Sequence, residues 1–454
     1  MKLTPFHHSE NSAAAAPDFP SKRAFQTTWT VFWIAFVVRV AYITLAHTFR
    51  LRVTDDHFPF GYEMGRIARA LVTGRGYADP FYGHTGPTTW IAPLYPLLLE
   101  GVFKLFGVYT LRSAWVILTI NSLFSALTAL TTYEIAARCF NRRVAIWSAW
   151  IWALYPAAMQ YAVRWVWEMT LSTWLLSCIF VLALRMRQIG ETSGVGVDNA
   201  IAPASDGRTL RHWMIFGLLW GLLALCNPSL LLFLPAAGLW VMLGARNSRR
   251  QIGFASVSAL VFVLCISPWV VRNAIVFHRF IPMRANFGAE FYLGNGPGAR
   301  GFLMEYDHPY EDPDQMRLYK KMGEVAYAQM RGRAAWRFVA SDPGLFVRNT
   351  LKRIYFFWIS VPHPTGKHWY TEAGRVLNYA FASIAGLLGL FLALQRRVPG
   401  AWLFAWAFLL TPLVYYFVTV HARFRDPIEP LIAILAVYLF QSAEKRHSFS
   451  VPTG

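Results

Sequence analysis

Apolar residues in this chain come in long runs separated by short basic or polar segments, and the run lengths set the first expectation. A helix needs about 20 largely apolar residues to cross a bilayer. Runs close to that length cover roughly 26–48, 111–133, 144–163, 167–185, 212–226, 229–245, 251–271, 374–395, 400–420 and 427–441. They predict an all-α integral membrane bundle of about ten transmembrane helices. Pro156, Pro228, Pro235 and Pro412 lie inside or between the runs, where a bundle tolerates them because neighbouring helices re-satisfy the freed backbone groups. Lys22 and Arg23 precede the first run and no small-residue cleavage site follows it, so a retained helix is expected and not a signal peptide.

The segments between runs carry a charge pattern that orients the bundle. With the N-terminus in the cytoplasm, the inner segments hold Arg138, Arg142 and Arg143, then Arg185, Arg187, Arg208 and Arg211. They continue with Arg246, Arg249 and Arg250, then Arg396 and Arg397, and end on Lys445 and Arg446. Such basic inner segments are the topology signal of a multi-pass membrane protein. The expected organisation is a cytoplasmic segment at 1–25, a bundle at 26–271 with a first outer loop at 49–110, and an outer region at 272–373. C-terminal spans at 374–441 and a cytoplasmic tail at 442–454 complete it.

Neither outer segment reads as disordered. Residues 62–73 have helical periodicity ended by Gly74 and Gly76, and 312–340 read as helical after an Asp-Pro start. Residues 345–361 join Arg348, Lys352 and Arg353 to an aromatic end, the pattern of a helix lying in the membrane interface. Long loops between spans are uncommon unless they have work to do. The inner stretch 187–211, rich in Gly, Ala, Ser and Asp, reads as a flexible linker.

Composition agrees with a membrane setting. Of 454 residues 56% are hydrophobic and 15% charged, against about 25% charged in soluble domains. The net charge of +19 would suggest nucleic acid in a soluble protein. Here much of it flanks the apolar runs, where lipid head groups and topology account for it, and no nucleic-acid partner is expected. Cys139, Cys178, Cys226 and Cys265 lie in or beside apolar runs without CxxC spacing, which argues against both a disulfide frame and a zinc site.

Acids beside a membrane cost free energy unless solvated, paired or used. Glu168, in RWVWEMTLS at the outer end of a run, stands out; a helix N-terminal carboxylate favoured by the macrodipole is the plain alternative. The first outer loop offers Asp55, Asp56, His57 and Glu63, any carboxylate of which could accept a proton from an acceptor hydroxyl. Cations complement them at the same face. HARFRDPIEP puts His421, Arg423 and Arg425 at the mouth of the last hairpin, and Arg272 with Asn273 ends the seventh run. The arginine fork suits phosphate oxygens, with lipid head-group anchoring as the alternative. Arg164 sits near Glu168 in sequence and could pair with it or with lipid. Two Gly/Pro segments, 84–96 and 293–301, would present Trp90, Tyr95 and Asn295 to a substrate. A divalent cation is an alternative counter-charge, but no compact carboxylate or His cluster calls for one.

Four stretches in order resemble the bacterial membrane glycosyltransferases of the protein O-mannosyltransferase-like superfamily. This is the GT-C fold, which includes the lipid A aminoarabinose transferases. They are YEMGRIARALVTGRGY with GPTTWIAPLYPLLLEGVFKLFG, then WVWEMTLS, SPWVVRNAIVFHRFIPMRANFGAEFYLGN and HARFRDPIEPLIAILA. The resemblance implies transfer of a sugar, usually with inversion, from a polyprenyl-phosphate carrier to a protein, glycan or lipid acceptor on the outer side of a bacterial inner membrane. It implies a first-loop acid as base, a second acid at Glu168, and a carrier-phosphate cluster at Arg423 and Arg425. The chain departs from the family at Phe60 and Met64, which stand where Asp and Tyr are common, and at Ile91-Ala92-Pro93, which replaces Lys-Pro-Pro. Asp56 or Glu63 would then supply the first acid. These departures make an inactive relative one rival reading. A secondary transporter is the other, and it would show internal repeats, charges near span centres and short loops. No repeat is obvious, the span centres read as uncharged, and the outer loops are long.

Overall fold

The computed structural model describes residues 28–51, 60–190, 209–244, 248–302, 307–361 and 369–447, and among these it is built from helices. Asp56 and most of the 187–211 linker lie outside the described residues. In chain order the first half runs through α1 (Thr28–Leu45), α2 (Glu63–Val72), α3 (Leu94–Phe106), α4 (Leu111–Cys139), α5 (Arg142–Leu154), α6 (Pro156–Val163), α7 (Met169–Met186) and α8 (Leu210–Cys226). The second half continues through α9 (Leu234–Met242), α10 (Ser248–Phe277), α11 (Phe287–Asn295), α12 (Pro313–Met322), α13 (Glu324–Ser341), α14 (Pro343–Trp358), α15 (Trp369–Gln395), α16 (Ala401–Leu410), α17 (Leu413–Phe417) and α18 (Glu429–His447).

Each expected apolar run coincides with a helix or with a helix pair interrupted at proline. α1, α4, α7, α10 and α15 are the five helices long and apolar enough to cross a membrane among the described residues. The runs at 144–163 and 400–420 are each split, at Pro156 and Pro412, into α5 with α6 and α16 with α17. Proline lacks the N–H that would continue the ladder and its ring clashes with the preceding turn. The run at 229–245 opens as a 3₁₀ turn, Pro228–Phe233, before α9.

Two helices mark the centre and the rim. α7 is 83% buried over its most apolar window and α10 only 11%. Along α10, Leu260, Val263, Leu264, Val271 and Ile275 are exposed, a surface suited to hydrocarbon and not to water. Close helix contacts use glycine: a methyl group at Gly389 on α15 would overlap the Leu435 carbonyl on α18. Small residues let backbones approach in this way where lipid supplies no hydrophobic drive between helices.

The two segments expected on the outer side fold much as their periodicity predicts. α2 fills 62–73, and the helix expected over 312–340 is two helices, α12 and α13, broken at Gly323 with φ 77°. α14 exposes Val347, Leu351, Ile354 and Tyr355.

The expectation of uncharged span centres fails at Arg39. This residue lies midway along α1, is fully buried, and donates to Ala153 O at 2.7 Å, Trp152 O at 3.2 Å and Ser125 Oγ at 3.1 Å. The reason lies in another helix. Pro156 cannot donate to the Trp152 carbonyl, so the end of α5 is left with orphan acceptors. A guanidinium is the natural cation for a helix C-terminus, and Arg39 caps the break from the neighbouring helix. Arg39→Met keeps the volume but strands these carbonyls in an apolar setting, and we expect a loss of about 3 kcal/mol. The thermal midpoint of the detergent-purified protein reads it; an unchanged midpoint would mean that the break is capped otherwise.

Candidate active site

A cavity of about 890 Å³ opens where the segment between α1 and α4 and the segment between α10 and α15 meet the ends of the helices. The start of α2, the α6–α7 junction, the α10–α11 connection, the 308–311 turn, the start of α15 and the segment after α17 all contribute to its wall. Glu63, Glu168, Trp90, His421 and Arg423 line it, as do Arg284 and His308.

Each side chain has a local reason for its place. Tyr62, with φ 54°, turns the chain into α2 and leaves Glu63 in the first turn, where the helix dipole favours a carboxylate. Glu168 occupies the N-cap of α7, one residue outside that span, yet its side chain caps nothing. A capping carboxylate would normally accept from the first-turn N–H groups; this one is turned to the cavity instead. Trp165 and Trp167 stack beside it at 4.6 Å between ring centroids. Arg423 enters the 3₁₀ segment Ala422–Ile428 and lays its guanidinium over Trp167 at 4.3 Å. Arg284 is steered by its Nε, which donates to Trp90 O at 2.7 Å.

The charges act on one another. Burial pushes the Glu168 carboxyl above its usual range; Arg423 and Arg284 pull it back, and Glu63 pushes it up again. Among the described residues neither Arg284 nor Arg423 forms an ion pair with a carboxylate. Four acids, Glu63, Glu168, Glu290 and Glu311, and three guanidinium heads, those of Arg284, Arg375 and Arg423, thus line one pocket rimmed by aromatic rings, and of the three arginines Arg375 is paired, with Glu372. Among the described residues no group of three or more His, Cys, Asp or Glu could hold a metal ion.

Four residues expected at the site stand elsewhere. Arg425 is buried against Glu429, with Nε 2.5 Å from Oε1, and donates to Ser383 Oγ and Trp358 O. The i,i+4 spacing on one helical face made that ion pair available, and the guanidinium ties α14, α15 and α18 together. Arg272 donates to Thr88 O and Tyr77 O, both at 2.7 Å, and so clamps the segment between α2 and α3. Tyr95 joins α3 to α4 through Asn121 Oδ1 at 3.0 Å. Asn295 donates to Phe417 O at 2.9 Å and accepts from Arg353. Arg164 pairs with the Tyr42 hydroxyl at 2.6 Å and not with Glu168.

The segments before α4 and after α10 are locked together beside the cavity. Glu324, buried at the start of α13, accepts from Thr89 N at 2.8 Å, from Tyr319 Oη at 2.9 Å and from Thr88 Oγ1. Asn273, near the end of α10, adds a bond across to the first of them, from Nδ2 to Thr89 Oγ1 at 3.3 Å. The TT pair in GPTTWIAP is therefore a seam, which holds Trp90 at the wall. Arg284 and His308 escaped the sequence reading because both sit in connections whose only signal was proximity to Pro and aromatic residues.

No family model matches this chain, and no curated protein does. The likeness is to solved structures. The apo crystal structure of the Archaeoglobus fulgidus oligosaccharyltransferase superposes with a TM-score of 0.53 at 15% identity, over 93% of this chain and 51% of that one. AglB from the same organism, in complex with an inhibitory peptide and a dolichol-phosphate, gives 0.50 at 15% identity, over 93% and 51%. The chain has the GT-C fold. It spans about half the length of these solved structures. ArnT from Cupriavidus metallidurans, in the apo state, matches at a TM-score of 0.41 and 13% identity over 91% of this chain and 78% of that one. Within this fold the Arg425–Glu429 pair joins helices and does not line the cavity. Arg425→Ala leaves a buried, unpaired Glu429 and should cost about 3–5 kcal/mol, whereas Arg425→Met with Glu429→Leu should cost far less. Denaturation midpoints of the two variants in the same detergent decide it, and equal losses would deny the pair its role.

Proposed function

We propose that the protein is a multi-pass membrane glycosyltransferase that moves a sugar from a polyprenyl-phosphate donor to an acceptor at the outer face of a bacterial inner membrane. One observation carries the reading: Glu63 and Glu168 share a cavity with the guanidinium groups of Arg284 and Arg423, which act on Glu168 across the pocket without closing into an ion pair with a carboxylate among the described residues. Cations left without a carboxylate partner at the edge of a membrane protein are matched to an anionic ligand. The carrier phosphate is that ligand in this reading. The bound dolichol-phosphate of the archaeal structure supports it by analogy of fold.

The sidedness follows the charge pattern. The cavity is lined from segments that the basic inner loops assign to the outer side, and Arg138 and Arg185 gather on Glu134 at the opposite end of α4 and α7. Both termini are then cytoplasmic.

The chemistry is a direct displacement. A hydroxyl or amide of the acceptor attacks the anomeric carbon as the bond from that carbon to the phosphate oxygen breaks, with inversion. Glu63 takes the proton of the attacking group. Glu168, ionised between the two arginines, orients the acceptor and the guanidinium heads. The electron pair leaves on the carrier phosphate, where Arg284 and Arg423 meet the growing charge. The stacked Trp165 and Trp167 and the ring of Tyr62, 5.6 Å from Trp167, give the sugar or prenyl unit an apolar wall.

Transfer of a labelled sugar from a synthetic polyprenyl-phosphate donor tests the reading. Glu168→Gln should lower turnover at least 100-fold, and Arg423→Ala about 100- to 1000-fold, with membrane insertion intact. An acid raised by burial keeps its proton to higher pH, so activity should rise with pH above the ordinary glutamate value of about 4.3. Arg423→Gln removes the attraction that lowers Glu168 and should move this acid limb further up. Full activity in Glu168→Gln would remove that residue from the mechanism, and an acid limb at ordinary glutamate values would remove its ionisation.

A further inference from the structure

The 308–312 turn places a histidine against the candidate base. Nε2 of His308 stands 4.0 Å from Oε1 of Glu63, and the two side chains are 13% and 21% exposed. The imidazole has little freedom. Its Nδ1 accepts the Tyr310 N–H at 3.2 Å, and its own carbonyl accepts the N–H groups of Glu311 and Asp312, both at 3.0 Å. Pro309 follows it and restricts its backbone to extended conformations. Phe81 meets the ring edge-on at 5.3 Å between centroids and Trp90 at 5.8 Å.

This arrangement selects a tautomer. A backbone N–H only donates, so Nδ1 must carry a lone pair. The proton of the neutral ring is then on Nε2, the atom that faces Glu63. A His tautomer is set by the bond its other nitrogen makes, and here that bond comes from the main chain two residues on. The geometry points to His308 as the residue that positions Glu63, donating its Nε2–H to the carboxylate and holding one oxygen toward the cavity. The inference rests on the glycosyl-transfer reading for its use, and on the turn alone for the pairing. Catalytic hydrogen bonds are often long before substrate binds and tighten in the complex, which suits a 4.0 Å approach between two side chains of one cavity wall. His308 is not a relay in this arrangement: accepting a proton at Nδ1 would break the Tyr310 bond. Its work is orientation, and the base remains Glu63.

Two substitutions separate this role from a structural one. In His308→Gln the amide nitrogen replaces Nε2 and keeps the donor to Glu63 while losing the Tyr310 bond. In His308→Asn the amide oxygen replaces Nδ1 and keeps the turn while falling short of Glu63. If His308 positions the base, the Gln variant stays within a few-fold of wild-type kcat. The Asn and Phe variants then lose about 100-fold in kcat with KM little changed, the size expected for a base misplaced by about an ångström. An active Asn variant beside an inactive Gln variant would overturn the proposal and leave His308 a turn residue. A second measurement needs no turnover. In the full-length protein labelled with ¹⁵N-histidine, one of 12 histidines is assigned to position 308 by its loss in His308→Gln. That signal should report the Nε2-protonated neutral ring and shift in Glu63→Gln. An Nδ1-protonated ring, or no response to Glu63→Gln, overturns the pairing. Absence of transfer in the wild-type protein defeats the glycosyl-transfer reading instead, and the nitrogen spectrum still decides the pairing.

Discussion

A charge removed from water is stable in a protein only when something inside replaces the water, and that constraint organises this molecule. Arg39 is held by the carbonyls of a broken helix, Arg425 by Glu429, Glu324 by two threonines and a tyrosine. Asp426, also buried, accepts from Thr173 Oγ1 at 2.9 Å. Each of these groups finds polar partners inside, though Nη2 of Arg425 is left without one, and each links elements distant in sequence. They are the fasteners of a bundle whose apolar faces, packed against lipid-like surfaces of equal greasiness, would otherwise slide.

The cavity is the place where that rule is relaxed. Arg284 and Arg423 bring their guanidinium heads to the same wall as Glu63 and Glu168 without closing into ion pairs, and the pocket keeps space between them. What stops collapse is the surrounding framework. Arg423 is spread over Trp167, Arg284 is tethered through Nε to a backbone carbonyl, and the Glu324 seam keeps the segments before α4 and after α10 from shifting. Cations preorganised in this way would meet the charge of a leaving phosphate in the function proposed above.

Much of the bundle was legible beforehand because a bilayer demands one thing of each segment, a run of apolar residues long enough to span. α1, α4, α7, α10 and α15 satisfy that demand in composition alone. The breaks at Pro156 and Pro412 were legible as prolines but not as helix pairs, since whether a proline kinks or ends a helix depends on what satisfies the freed carbonyls. Arg39 was misjudged for the same reason. A cation in a span looks costly until the carbonyls that receive it, more than a hundred positions away in sequence, are known.

Residue type and order in the chain determined which side chains had chemistry to offer: Glu63, Glu168 and Arg423 stood out as charges beside apolar runs. Tertiary structure alone decided which of the basic residues reach the pocket. Arg423 and Arg425 are two positions apart, and the turn of the 3₁₀ segment sends one over Trp167 and the other into the core against Glu429. The i,i+4 spacing makes a pair between Arg425 and Glu429 available but does not say which arginine turns inward, because that depends on the direction of a single turn and on partners supplied by α14 and α15. His308 and Arg284 reach the wall by the same logic, through connections whose paths are set by long-range packing rather than by local periodicity.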